Sequence, residues 1–256
     1  AYAKGVRPGD VLLAINGEKI TSLSEEAVLK QLSPILGSFT RLEIFFSALK
    51  KMEVITLESR PYFKETVSSP ASGIDGVLIL KIGHFNQKTS IDFSDHIASY
   101  GSTKIRHLIV DLRDNSGGPP LAAREILGFF LPPDDPLFAI ARKKKRPVML
   151  TAPAQPTAYH GPLTVLVNQK TGSAAELFSG LVQAKKIGDL VGQKTAGATY
   201  LKSIYDLDGG SAIFMITSLT FFYDRRVYPP DGLDPDTVLA EDKDSLKVVL
   251  ESLGQK

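Results

Sequence analysis

Hydrophobic positions follow one pattern up to about residue 60 and a different pattern after residue 75. In the first part, short alternating apolar segments flank one helical segment, which is typical of a small α+β unit. The predicted elements are, in order, a strand at 10–15, a turn at Asn16-Gly17, a helix from a Ser22/Glu25 capping box to about residue 32, and a hairpin of strands at 41–46 and 53–57. Residues 60–75 have little periodicity and contain several proline, serine and glycine residues, which predicts a linker.

After residue 75, apolar runs alternate with helical stretches, which indicates layered α/β structure. Strands are predicted at 76–82, 108–112, 162–167, 187–191 and 212–217, and helices at 91–100, 120–131, 174–186 and 243–253. The segment 162–167 has no polar position apart from Thr164, so we expect a central strand that is covered on both faces. The expected fold class is α/β, a central sheet flanked by helices, preceded by a small α+β domain. The expected boundaries are a first domain at 1–59, a linker at 60–75, a core at 76–240 and a C-terminal helix at 241–256.

Composition excludes several functional classes. The 256 residues contain no cysteine, so disulfide scaffolds, thiolate nucleophiles and cysteine-ligated metals are absent. A net charge of +2 gives no basic field of the kind that nucleic-acid binders need, and no apolar run is long enough for membrane insertion. We find no phosphate-binding loop, HExxH or EF-hand motif and expect neither a cofactor nor a metal. The chain begins at Ala1 without a methionine or signal-like segment, which we interpret as a fragment or a mature piece.

The one run of like charges is Arg142-Lys-Lys-Lys-Arg146. Such a run could contact nucleic acid or anionic lipid. Because Pro147 and alternating apolar residues flank the run, we predict a solvated hairpin instead.

Two segments carry residues that are suited to nucleophilic catalysis. At 111–118 a buried strand breaks into a polar turn that ends in two glycines, and glycines allow backbone N–H groups to point into a cavity as an oxyanion hole requires. Ser173 follows another buried strand and precedes a helix, where its hydroxyl and the N–H of Ala174 lie near the positive end of the helix dipole. Each segment also has a purely structural interpretation. The glycines can mark a turn, and Ser173 with Glu176 has the spacing of a capping box.

Residues 5–17, Gly-Val-Arg-Pro-Gly-Asp followed by Val-Leu-Leu-Ala-Ile-Asn-Gly, resemble the second half of a PDZ domain. The resemblance implies binding of C-terminal peptides beside the helix, with Val28 as a candidate contact. The alternative is that these apolar residues only form the core of the small domain.

The order of motifs along nearly the whole chain resembles the C-terminal processing, or tail-specific, serine proteases of peptidase family S41. The resemblance rests on the PDZ-like segment, Asp111-Leu-Arg-Asp-Asn-Ser-Gly-Gly118, Asn168-Gln-Lys-Thr-Gly-Ser-Ala-Ala-Glu176, Gly192-Gln-Lys-Thr-Ala-Gly197 and Gly232-Leu-Asp-Pro-Asp236. It implies a ClpP/crotonase-like core that cleaves proteins with apolar C-terminal tails by a Ser/Lys dyad. It further implies Ser173 as nucleophile and the N–H groups of Gly117 and Ala174 as the oxyanion hole.

The same resemblance implies a periplasmic or cell-envelope location in bacteria, or the plastid lumen, and it is compatible with homo-oligomers. Protein substrates are the expected partners.

The chain departs from the family at the general base. The family places a lysine 25 residues after the nucleophile, where this chain has Ala198, and Lys202 occupies the position of an orienting glutamine. Three explanations stay open: an engineered, inactivating substitution at residue 198, a base role for Lys202, or a natural pseudoprotease that binds tails without cutting them. Rescue by a histidine is the least favoured explanation, and it would involve one of His84, His96, His107 and His160.

Overall fold

The computed structural model describes residues 4–33, 35–60, 65–156, 158–207 and 210–255. It divides into two compact units, residues 1–64 and 65–256.

The first unit contains a four-stranded antiparallel sheet and one helix. Its elements are β1 (Val11–Ile15), β2 (Glu18–Lys19), α1 (Glu25–Leu32), β3 (Phe39–Phe46) and β4 (Lys51–Glu58), with the sheet order β2-β1-β3-β4. The predicted Asn-Gly turn joins β1 to β2, with φ angles of 50° and 88°. The predicted helix cap was wrong by two residues, because Ser24 Oγ accepts the N–H of Ala27 at 3.2 Å whereas Ser22 Oγ donates to a carbonyl. Val28 is half-buried against the core of this unit.

The second unit contains the remaining elements. In chain order they are β5 (Val67–Ser68), β6 (Val77–Ile82), α2 (Thr89–Tyr100), β7 (His107–Asp111), α3 (Pro120–Leu127), β8 (Pro136–Arg142), β9 (Val148–Thr151), β10 (Leu163–Val167), α4 (Ala174–Ala184), β11 (Asp189–Gly192), β12 (Leu201–Asp206), β13 (Ala212–Phe222), β14 (Thr237–Val238) and α5 (Ser245–Gly254).

A six-stranded sheet forms the centre of this unit, in the order β14-β11-β10-β7-β6-β5. All neighbours are parallel except β5, which runs antiparallel to β6. Every residue of β10 is buried. Val165 packs into the core that includes α2, α3 and α4, while Leu166 packs on the opposite face near Val249 of α5. The expected α/β class, with helices on both faces of a central sheet, is confirmed.

A second sheet, in the order β12-β13-β8-β9, is antiparallel throughout. The sequence predicted the hairpin around residues 142–146, which is confirmed as β8 and β9, but it did not predict that this hairpin joins β13. The predicted linker also contains β5, whose Val67 is fully buried and pairs with Ile82. No helix among the described residues is long and apolar enough to cross a membrane.

Candidate active site

Ser173 lies in a strained backbone conformation at the start of α4. It has φ 52° and ψ −120°, a region that a residue with a Cβ rarely adopts, and its side chain is half-buried. Such conformations cost about 1–3 kcal/mol and are concentrated at active sites. The turn places Ser173 between the end of β10 and the first N–H groups of the helix.

The two predicted catalytic segments meet in the structure. Gly117 has φ 105°, and a Cβ built on it would lie 2.6 Å from Ser173 Cβ and 2.9 Å from the nitrogen of Ala174. Only glycine fits at residue 117, because any side chain would be strained at this φ and would clash with Ser173. The contact follows from the topology, because the parallel neighbours β7 and β10 both end at this edge of the sheet.

The two predicted oxyanion donors differ in their hydrogen bonding. The N–H of Ala174 is the first of α4, where a helix supplies no acceptor of its own. The N–H of Gly117 instead donates to Asn115 Oδ1 at 2.8 Å, and Asn115 is buried with its amide donating to the Ile82 carbonyl at 2.7 Å. An oxyanion that used Gly117 would therefore have to displace the Asn115 oxygen.

Glu176 connects the Ser173 turn to the loop after β11. Its Oε2 accepts the N–H of Ser173 at 3.0 Å, which is the Glu176 half of the predicted capping box. The same Oε2 accepts the N–H of Ala198 at 2.7 Å. Oε1 accepts the hydroxyl of Thr195 at 2.6 Å and the N–H of Gly197 at 2.7 Å. The carboxylate is fully buried and thus holds two segments with four hydrogen bonds. Sequence reasoning assigned Glu176 only the cap, because spacing shows none of its distant partners.

This carboxylate limits the distance between the backbone of residue 198 and the backbone of Ser173. Two nitrogens that donate to one oxygen at 3.0 and 2.7 Å cannot be more than about 5.7 Å apart. Ala198 is half-buried at this place. The structure therefore brings Ser173 and residue 198 together.

Lys202 has a different environment. It lies on β12, its side chain is exposed, and its Nζ is 5.8 Å from the centre of the Tyr200 ring. A lysine acts as a base near neutral pH when burial disfavours its charged form. The exposed position of Lys202 supplies no such burial.

The histidines divide by location. His84 is exposed and precedes Phe85, whose N–H donates to the Gly117 carbonyl at 2.9 Å, so His84 borders the turn that contains Gly117. Two others have partners elsewhere: His96 contacts the Val67 carbonyl, and His107 contacts Thr164 Oγ1 at 2.8 Å. His160 is exposed in the loop before β10.

An ion-pair network supports the polar turn. Buried Asp111 accepts Arg113 Nη2 at 2.7 Å and Nε at 2.9 Å, and Arg113 Nη1 donates to Asp244 at 2.6 Å. The hydrogen bond with Asp111 is the main reason that the pKa of the Arg113 guanidinium is raised. Because Asp244 caps α5, this network connects the C-terminal helix to the polar turn that follows β7. Within the described ranges, no group of three or more metal-ligating side chains converges.

Comparison with known proteins identifies relatives of this chain. The chain is 27% identical to the chloroplastic carboxyl-terminal-processing peptidase 3 of Arabidopsis thaliana, over 91% of this chain and 47% of that protein. It is 28% identical to a carboxyl-terminal-processing protease of Synechocystis, over 94% of this chain and 57% of that protein. The chain thus spans about half the length of the curated relatives that it matches.

Solved structures share the fold. The photosystem II D1 C-terminal processing protease superposes with a TM-score of 0.61 at 20% identity, covering 99% of this chain and 69% of that one. A putative S41 protease from Bacteroides fragilis superposes with a TM-score of 0.64 at 16% identity, covering 100% of this chain and 75% of that one. The profile of peptidase family S41 matches residues 76–239, which is more than half of the chain. The chain belongs to peptidase family S41.

Proposed function

We propose that the second unit is the catalytic core of a carboxyl-terminal processing serine peptidase, with Ser173 as its nucleophile. The strained turn of Ser173 and its contact with Gly117 support this role. The observation that carries the proposal is the Glu176 carboxylate, which bonds the backbone of both Ser173 and residue 198. These bonds hold the backbone of residue 198 beside the backbone of Ser173.

The reaction needs three groups. The Ser173 oxygen attacks the scissile carbonyl carbon, a base takes the hydroxyl proton, and the N–H of Ala174 donates to the oxygen that becomes negative. The base then returns the proton to the leaving amine as the peptide C–N bond breaks. Residue 198 is the position from which a lysine would reach the hydroxyl, and alanine cannot take up a proton. We expect the chain as it stands to be nearly inactive.

The test is Ala198→Lys. We expect this variant to cleave an unfolded protein with an apolar C-terminal tail and to label with a fluorophosphonate at Ser173, with a rate that rises as the new lysine loses its proton. Ser173→Ala in that background should abolish both signals, and Lys202→Ala should leave them unchanged. The labelling reaction does not depend on tail recognition, so it separates a missing base from a missing substrate.

Two results would contradict the proposal. Activity of the unchanged chain that disappears with Lys202→Ala would move the base to Lys202. If neither the unchanged chain nor Ala198→Lys cleaves substrate or reacts with the fluorophosphonate, the chain is a non-catalytic member of its family.

A binding module is the second candidate function, and the alanine at residue 198 is the observation that favours it. In this function, the first unit acts as a PDZ domain that holds C-terminal peptides, with Val28 of α1 at the groove. Because Val28 already packs against the core, a bound peptide would contact only its exposed part. Calorimetry with a peptide that ends in a free carboxylate, and with its C-terminal amide, tests this role. Equal affinities would remove carboxylate recognition.

The relatives also bear on location, since they are chloroplastic or bacterial proteins. We propose a cell-envelope, periplasmic or plastid-lumen location for this chain.

A further inference from the structure

The antiparallel sheet β12-β13-β8-β9 has apolar residues on both of its faces. Phe138 and Phe222 are paired neighbours that point into the buried core. The opposite face, called here the outer face, has the paired row Phe221, Ala139 and Met149 across three strands. An antiparallel sheet with one buried face usually has polar residues on the other. The outer face therefore departs from the pattern of a sheet that contacts only water.

Leu219 and Ala141 extend this outer face by one further pair. Leu219 is 49% exposed and Met149 is 41% exposed. A concavity of about 580 Å³ lies over the row, lined by Ala139, Met149 and Phe221 together with Pro147 and Phe222. Exposed apolar patches with a polar rim commonly mark interaction sites.

The rim of this concavity is cationic. Arg146 and Arg225 line it, Arg142 ends β8, and Lys143 to Lys145 lie in the turn that follows. Among the residues that the structure describes, no carboxylate lies within ion-pair distance of Arg225 or of the five cations at 142–146. The positive charge around the apolar floor thus forms no ion pair with a carboxylate in the described part of the second unit.

We infer that this groove binds a polypeptide segment of a partner protein that combines apolar side chains with aspartate or glutamate. The apolar floor accepts side chains such as leucine, and the guanidinium groups of Arg146 and Arg225 are suited to carboxylates. A concave floor fits projecting side chains better than it fits a flat bilayer surface. Its two phenylalanines are neighbours on one strand, and Phe222 is buried in the core, so the floor offers no row of aromatic faces on which nucleic-acid bases could stack. The inference does not depend on catalysis.

Fluorescence anisotropy with the whole chain tests the inference. The probe is a fluorescein-labelled peptide of alternating leucine and glutamate, and the matched probe has lysine in place of glutamate. We expect the leucine-glutamate peptide to bind and its affinity to fall as salt is added. Each charge reversal, Arg146→Glu or Arg225→Glu, should weaken binding about tenfold, as expected for loss of one charged hydrogen bond.

Two further variants separate charge from apolar contact. Lys104→Glu makes the same charge change in the exposed segment before β7, and it should leave the affinity unchanged. Leu219→Ser should weaken binding without changing the salt dependence. Circular dichroism should show that all variants keep the fold, because each changed side chain is exposed.

Several outcomes would overturn the inference. They are equal binding of the two peptides, no binding of either, or an equal effect of Lys104→Glu and Arg146→Glu. Sedimentation that shows self-association, lost in Arg146→Glu, would assign the groove to a second copy. Binding of phosphatidylglycerol vesicles without binding of the leucine-glutamate peptide would assign it to a membrane.

Discussion

Replacing Glu176 with glutamine would remove the charge from a fully buried carboxylate that accepts four hydrogen bonds. Glutamine has one acceptor oxygen, so its NH₂ group must face two former donors. Placed at Oε1, the NH₂ faces Thr195, whose hydroxyl can turn to accept, and the N–H of Gly197, which cannot. Placed at Oε2, it faces the N–H groups of both Ser173 and Ala198. The first orientation is therefore expected, with the Gly197 N–H buried and unpaired.

The free energy of unfolding should fall accordingly. An unpaired buried N–H costs about 1–3 kcal/mol, and the bonds that remain lose their charge assistance. The neutral amide is easier to bury than a carboxylate, which offsets part of this loss. We expect a net loss of about 2–4 kcal/mol, or a fall in Tm of roughly 4–16 °C for a unit of this size.

Urea unfolding followed by circular dichroism measures this loss. The matched control is Ser179→Ala in the same helix, because Ser179 is equally buried but makes a single bond to the Ala175 carbonyl, at 2.8 Å. That bond is local and its loss should cost less than about 1 kcal/mol. In the Ala198→Lys background, Glu176→Gln should also slow labelling of Ser173. If Glu176→Gln were no less stable than Ser179→Ala, Glu176 would be only a helix cap.

Three further predictions concern single side chains of the second unit. Arg113→Ala should lower the free energy of unfolding by about 3–5 kcal/mol, because it removes the cationic partner of buried Asp111 and leaves that carboxylate with the N–H of residue 113. Arg113→Lys should restore part of this loss in urea unfolding. Gly117→Ala should destabilise the unit by clearly more than Gly73→Ala. Both glycines have positive φ, but only Gly117 has atoms within 3 Å of an added Cβ. Equal falls in Tm for the two variants would contradict this prediction. Burial raises the pKa of Tyr159 to about 12, so the stability that depends on its protonated form is present below pH 10 and is lost as pH rises to about 12. Tyr159→Phe should therefore reduce the slope of stability against pH in this window, and an unchanged slope would refute the assignment.

The sequence predicted those features that neighbouring residues determine. The Asn16-Gly17 turn, the strand predicted at 162–167 and the helix after Ser173 depend on local periodicity and turn chemistry. The turn and the helix were found where predicted, and the buried strand was found from Leu163, with Pro162 exposed. The cap predicted at Ser22 was wrong because Ser22 and Ser24 are both serines, a residue type suited to capping. The helix begins after Ser24, so Ser24 is the residue whose side chain caps it.

The tertiary structure decided which distant residues meet. Nothing in the local sequence shows that β8 pairs with β13, since the two strands lie far apart in the chain and strand pairing leaves no mark on the alternation of either one. The contact of Gly117 with Ser173 needs the parallel pairing of β7 and β10, and the four bonds of Glu176 need the loop after β11 to return beside α4. The chain thus determines by itself its local elements and the types of its catalytic candidates. Their distances are fixed only when buried strands pair, because a buried carboxylate or a close backbone contact is stable only where the packed core supplies every partner at once.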